Sequence, residues 1–166
     1  MDEQLSRIEI LNRLHMEYNL LRTTVDRLTS AKMLEPGLVD EWSVKDVLAQ
    51  MIICNLFSVQ EIRDAQFLER RIAYDFIDPN TINAQTIAVY RILSLERVMA
   101  NLDSSFQQIV DFIEAMPDSV FKSQNTLECL LRDMISGRFS NSTYLHYMLR
   151  REQIETWAGQ IGVTNG

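Results

Sequence analysis

A chain of 166 residues supports one domain with a substantial core and leaves little room for a second. Its formal net charge of -7 makes it a poor electrostatic partner for phosphate backbones, which argues against nucleic-acid binding. With 5 glycines and 3 prolines there are few turn sites, so long helices are expected over many short strands.

Residues 2–30 carry apolar side chains at three- and four-residue spacings, which is a helix period. The expected inner face runs Leu5, Ile8, Leu11 or Asn12, His15, Tyr18, Leu21 or Arg22, Val25 and Leu28. Leu34 to Glu41 contains Pro36 and Gly37 and reads as a connection. In EWSVKDVLAQMIICNLFSVQEI, Ser43 is a good N-cap and Asp46 follows three residues later, a variant of the capping box. Trp42 and Val47 are spaced for a hydrophobic staple. The second long helix is expected from Ser43 to about Ala73, with a first half apolar on most sides, as in a helix buried on more than one face.

Asp78, Pro79 and Asn80 break the chain, and Thr81 to Ile92 reads as a short helix. Ser94 then caps a helix through Met116 with an inner stripe of Leu95, Val98, Leu102, Phe106, Ile109, Val110 and Ile113. Pro117 ends it, because proline disfavours a helical residue before it. Leu127 to Ile135 suggests another short helix, stopped near Gly137, and Asn141 to about Ile161 the last long one. No repeat or linker interrupts residues 1–166. The expectation is a single all-α domain, a four-helix bundle with short extra helices in the connections.

Cys54 and Cys129 are the only cysteines, far apart and in apolar surroundings, so neither a zinc motif nor a disulfide scaffold is indicated. A reducing, cytoplasmic compartment is expected. The opening MDEQLSRIEI is acidic and lacks the apolar core of a signal peptide. The longest apolar run, residues 47–59, is broken by Gln50 and Asn55 and is too short to span a bilayer, so no membrane partner is expected.

Three segments, in order, carry a resemblance. EWSVKDVLAQ is similar to a W-S-x-K-D-x-L-A-H helix opening. INAQTIAVYRILSLERVMANLDSSFQQIVDFIEAMPDSVF is similar to an I-N-A sequence followed by a capped helix and a closing turn. STYLHYMLRREQIETW is similar to a T-Y-x-H-Y-x-x-H-x-x-x-I-x-x-W ending. Together these patterns, spanning about residues 40–157, resemble the DinB-like superfamily, nearest its colibactin self-protection (ClbS/DfsB-type) branch. The resemblance implies an up-down-down-up four-helix bundle, often a homodimer. Many relatives hold a divalent metal through one histidine on helix two and a pair four apart on the last helix. The matching positions here are Gln50, His146 and Arg150, and only His146 retains an imidazole.

Neutral imidazole is a good metal donor, whereas a glutamine oxygen donates weakly. Arginine has no lone pair to offer, and its charge repels a divalent cation. No metal and no cofactor are therefore expected. His15, the other histidine, reads as a helix-boundary residue hydrogen-bonded locally, with a rearranged site as the alternative. Arg150 is expected to pair with an acidic residue such as Glu61 or to project to solvent; alternatively it meets a ligand carboxylate or phosphate. The doublet Arg150-Arg151 points its side chains about 100° apart, so the two cannot line one cleft.

Gln50 and Cys54 lie four apart on the helix face that should oppose His146. A thiol beside an imidazole can form a nucleophile–base pair, although buried cysteine usually behaves as a small hydrophobe. Asn55 and Asn83 read as polar groups at a cleft, as helix caps or as interhelical hydrogen-bonding groups. The expected function is small-ligand binding in the bundle cleft, with Gln50, Asn55 and Arg150 as ligand-binding residues, or a non-catalytic accessory role. The first alternative is a metal-independent hydrolase of an electrophilic small molecule, with His146 as base and Cys54 beside it. The second is a homodimeric structural or interaction module.

Overall fold

The computed structural model describes residues 6–68, 87–122 and 144–160, and within them every named element is a helix. In chain order these are α1 (Arg7–Asp26), α2 (Ser30–Leu34), α3 (Val44–Leu68), α4 (Leu95–Ala115), α5 (Asp118–Lys122) and α6 (Tyr144–Gln160). Residues 87–92 are helical as well. The expected helix over Leu127–Ile135, and the expected ends at Ala73, Thr81, Asn141 and Ile161, lie outside the described residues.

Ser6 sets where α1 begins. Its hydroxyl accepts from the Glu9 amide at 3.3 Å while the Glu9 carboxylate accepts from the Ser6 amide at 2.7 Å, a complete capping box. The helix therefore starts at Arg7 rather than near residue 2. It stops at Asp26 rather than residue 30, because Thr29 is extended and caps α2. The expected inner face is also corrected. Ile10, Leu14, Tyr18, Leu21 and Val25 are buried, whereas Ile8 is 70% exposed and His15 is exposed. Apolar residues occur on both sides of α1, so helical spacing alone fits two faces. Burial picks the one that meets the neighbouring helices.

Between α2 and α3, the amides of Gly37 and Leu38 donate to the Trp42 carbonyl at 3.2 and 2.9 Å. Gly37 adopts φ 110°, a conformation that side-chain-bearing residues rarely reach. The expected cap on α3 is present. The Ser43 amide donates to Asp46 Oδ2 at 3.0 Å, and the Asp46 amide donates to Ser43 Oγ at 3.2 Å. Val44, Val47, Leu48, Met51 and Ile52 are all buried, consistent with a helix covered on more than one side. Trp42 packs half-buried against the same core as Val47.

The start of α3 also holds the approach to α4. Arg91 donates from Nε and Nη2 to the two Asp46 oxygens at 3.1 and 3.2 Å. Lys45 Nζ donates to the Arg91 carbonyl at 3.1 Å and to that of Leu93. Burial pushes the Asp46 carboxyl up, but the bonds from Arg91 and Ser43 outweigh it and hold the group below its usual range. A carboxylate depressed in the folded state stabilises above its unfolded value of 3.8, and that contribution fades as pH falls through the folded value. Asp46→Asn is expected to cost about 1 kcal/mol at neutral pH, with the gap to wild type closing below about pH 4. An equal loss of denaturation midpoint at pH 7 and pH 3 would contradict this account.

In α4, Val98, Leu102, Phe106, Ile109, Val110 and Ile113 are buried as expected, Leu95 is half-buried, and Ser105 joins the buried face. Met116 is extended before Pro117, and α5 follows with Val120 and Phe121 buried.

The long helices pack mainly as two pairs, α3 on α4 and α1 on α6, with α1–α4 and α3–α6 contacts closing the ring. Cross-helix bonds give the directions. Arg7 reaches the Met116 carbonyl and Tyr18 reaches Asp103, so α1 and α4 run antiparallel. Arg13 meets Tyr144 and Thr24 meets Glu155, so α1 and α6 run parallel. Gln50 meets Arg150 and Asn55 meets Tyr147, so α3 and α6 run antiparallel. Lys45 meets Leu93 and Asn55 meets Ser105, so α3 and α4 run parallel. Among the described residues, no helix is long and apolar enough to cross a membrane.

Candidate functional site

The antiparallel crossing of α3 and α6 brings the expected polar residues together. On α6, His146, Arg150 and Gln153 share a face because they are four and three residues apart. Arg150 is the hub. Its Nε donates to His146 Nε2 at 3.3 Å, its Nη1 donates to Gln153 Oε1 at 2.8 Å, and its Nη2 donates across the helix boundary to Gln50 Oε1. Cys54 lies one turn beyond Gln50 on α3 and is close enough to feel the guanidinium charge. His146 is buried, while Gln50, Cys54, Arg150 and Gln153 are each half-buried.

The electrostatics limit what this cluster can do. Burial pushes the Cys54 thiol up to about 11, and the Arg150 charge only partly offsets it. At neutral pH the thiol stays protonated and is a weak nucleophile. Burial also draws the Arg150 guanidinium below its ordinary value. Accepting a bond at Nε2 requires a lone pair there, so the proton of the neutral His146 ring resides on Nδ1. That lone pair is the one a general base or a metal ligand would use, and Arg150 already engages it. The donor set therefore does not fit a divalent ion: one occupied imidazole, one amide oxygen and one cation. Among the described residues, no group of three or more His, Cys, Asp and Glu side chains is placed to hold a metal.

Asn55 sits one helical step away in a separate network. Its Nδ2 donates to Ser105 Oγ at 3.0 Å, and its Oδ1 accepts from the Tyr147 hydroxyl at 2.9 Å. The Ser105 hydroxyl in turn donates to the Leu102 carbonyl at 2.9 Å. Asn55 thus joins α3 to α4 and α6 and is drawn away from the Arg150 cluster. Tyr147 packs edge-on against Tyr18 and Phe106, whose rings stack 3.8 Å apart.

His15 is exposed and lies edge-on to Phe106 at 5.3 Å. The local hydrogen bond expected for it is not found among the described residues. Arg151 turns toward α1, where it meets the buried Glu17 at 3.5 Å, and it also pairs with Glu155 one turn on along α6 at 3.2 Å. The two consecutive arginines therefore serve different interfaces, as their angular separation requires. The Glu61 side chain, Asn83 and Cys129 lie outside the described residues.

No family model matches the chain, and no curated protein matches it. Among solved structures, the crystal structure of an uncharacterised protein from Escherichia coli UTI89 superposes with a TM-score of 0.75. The match covers 96% of each chain at 17% sequence identity. The fold is shared. At that identity the likeness speaks for architecture and not for a site.

Two participants escape sequence reasoning. Gln153 completes the α6 face seven residues after His146, and the helix period would have included it. Ser105 lies inside the apolar stripe of α4, and only its cross-helix partner gives it meaning.

Proposed function

We propose that this chain is a DinB-like bundle, similar to the colibactin self-protection branch, that binds a small molecule in the cleft between α3 and α6 without a metal. One observation carries the reading. The three positions that the resemblance assigns to metal ligands, Gln50, His146 and Arg150, meet in a single hydrogen-bonded cluster. The pairwise helix directions support an up-down-down-up run of α1, α3, α4 and α6. A guanidinium at the centre replaces cation coordination with hydrogen-bond donation, which suits recognition of a polar ligand. The hydrolytic alternative asks more of the cluster, because Cys54 is protonated and the His146 lone pair is engaged.

If no metal supports the bundle, dialysis against EDTA leaves the melting temperature unchanged. A drop beyond about 3 °C, roughly the effect of 1 kcal/mol in a chain of this size, would overturn the metal-free reading. So would stoichiometric zinc or nickel in protein purified without added metal.

A further inference from the structure

Among the described residues, four arginines are half-buried, and three of them meet a carboxylate. Arg7 pairs with Asp118 at 2.7 Å, Arg22 with Asp103 at 3.5 Å, and Arg151 with Glu17 at 3.5 Å. Arg150 is the exception, since its hydrogen-bond partners are an imidazole and two amide oxygens, all neutral. Withdrawing a cation from water without an opposing charge is unfavourable, and buried charges are normally paired. A guanidinium has five N–H groups. Three are used here, which leaves one on each terminal nitrogen without an acceptor among the described residues. Gln50, Cys54 and Gln153 around it are only half-buried, so the cluster is reachable from solvent.

We infer that the ligand carries an oxyanion, a carboxylate or phosphate group, that docks on Arg150 and supplies the missing negative charge. This rests on the small-ligand reading above and specifies its chemistry. Each terminal nitrogen keeps one N–H that an oxyanion oxygen can accept from, and such bonds are charge-assisted on both sides. Gln50 and Gln153 hold the guanidinium plane in place from α3 and α6, so the donors are oriented before the ligand arrives.

The test is an NMR titration of the full chain with sodium acetate and, separately, with inorganic phosphate, at constant ionic strength against sodium chloride. The expected result is a saturable shift of the Arg150 Nε–H and Gln50 side-chain amide signals with at least one oxyanion. Acetate alone or phosphate alone would name the group. Arg150→Met is expected to weaken that binding roughly 10- to 100-fold. Should Arg150→Met fail to fold, Arg150→Gln carries the comparison. No response beyond that of chloride in the wild type overturns the inference. A parallel titration with acetamide and benzyl alcohol separates the two levels. Saturable shifts at the same signals with these uncharged probes alone would keep a ligand cleft and discard the oxyanion. Silence toward every probe would discard both.

Discussion

Asn55→Leu is expected to lower the unfolding free energy by about 2–3 kcal/mol. The Tyr147 side chain is fully buried, and its hydroxyl donates to Asn55 Oδ1 at 2.9 Å. Removing the amide leaves that hydroxyl in an apolar interior with nothing to donate to, and the full desolvation cost remains. Ser105 suffers less, because it still donates to the Leu102 carbonyl. Tyr147→Phe alone strands the Asn55 oxygen and is expected to cost about 1–2 kcal/mol. The double variant removes both ends together, so its loss should fall short of the sum of the single losses. Urea denaturation of the four proteins provides the comparison. Strictly additive losses would mean that Asn55 and Tyr147 are not bonded and that the three-helix junction is misdescribed.

A larger effect, of opposite sign, is expected when Gln50→His and Arg150→His are combined. The convergence of residues 50, 146 and 150 would then present three imidazoles to one point, and removal of the guanidinium would release the His146 lone pair. Three histidines with an open fourth position form a competent zinc site. Zinc at about a thousand times its dissociation constant should stabilise the variant by about 4 kcal/mol, on the order of 10 °C in melting temperature. EDTA should reverse the gain, and the wild type should not respond. Arg150→His alone creates a histidine pair four apart and is the necessary control, since such a pair binds metal weakly by itself. If adding Gln50→His brings no improvement over that control, the three positions do not share a corner and the proposed lineage loses its main support.

Some of this was readable in the chain and some was not, for physical reasons. The face of α4 emerged cleanly because its apolar residues form one stripe with polar residues opposite. The cap at Ser43 and Asp46 emerged because capping is local. In α1 the apolar residues Ile8, Met16 and Leu20 are exposed, so periodicity alone chose the wrong face near its start. The Ser6–Glu9 capping box was the local signal that would have corrected the beginning of the helix. The four-residue spacing puts His146 and Arg150 on one helical face, with an acidic partner or solvent expected for Arg150, whose bonds among the described residues go instead to His146, Gln153 and Gln50. Their contact with Gln50 came only through resemblance, since no local rule links residues a hundred positions apart. Of the two readings of Asn55, a cleft residue or an interhelical hydrogen-bonding group, its bonds to Ser105 and Tyr147 fit the second, with partners that only the tertiary packing reveals.

The arginine doublet has a consequence for how α6 can turn. Arg150 engages α3 while Arg151, its chain neighbour, engages Glu17 on α1. Like a key with two teeth cut at different angles, this pair fixes the rotational setting of α6 about its own axis. Rolling the helix by one residue position would bring Arg151 round toward α3 and strand the buried Glu17 without its cation. Inserting or deleting a single residue within α6 ahead of the doublet would therefore disturb two interfaces together, whichever way the helix then turned.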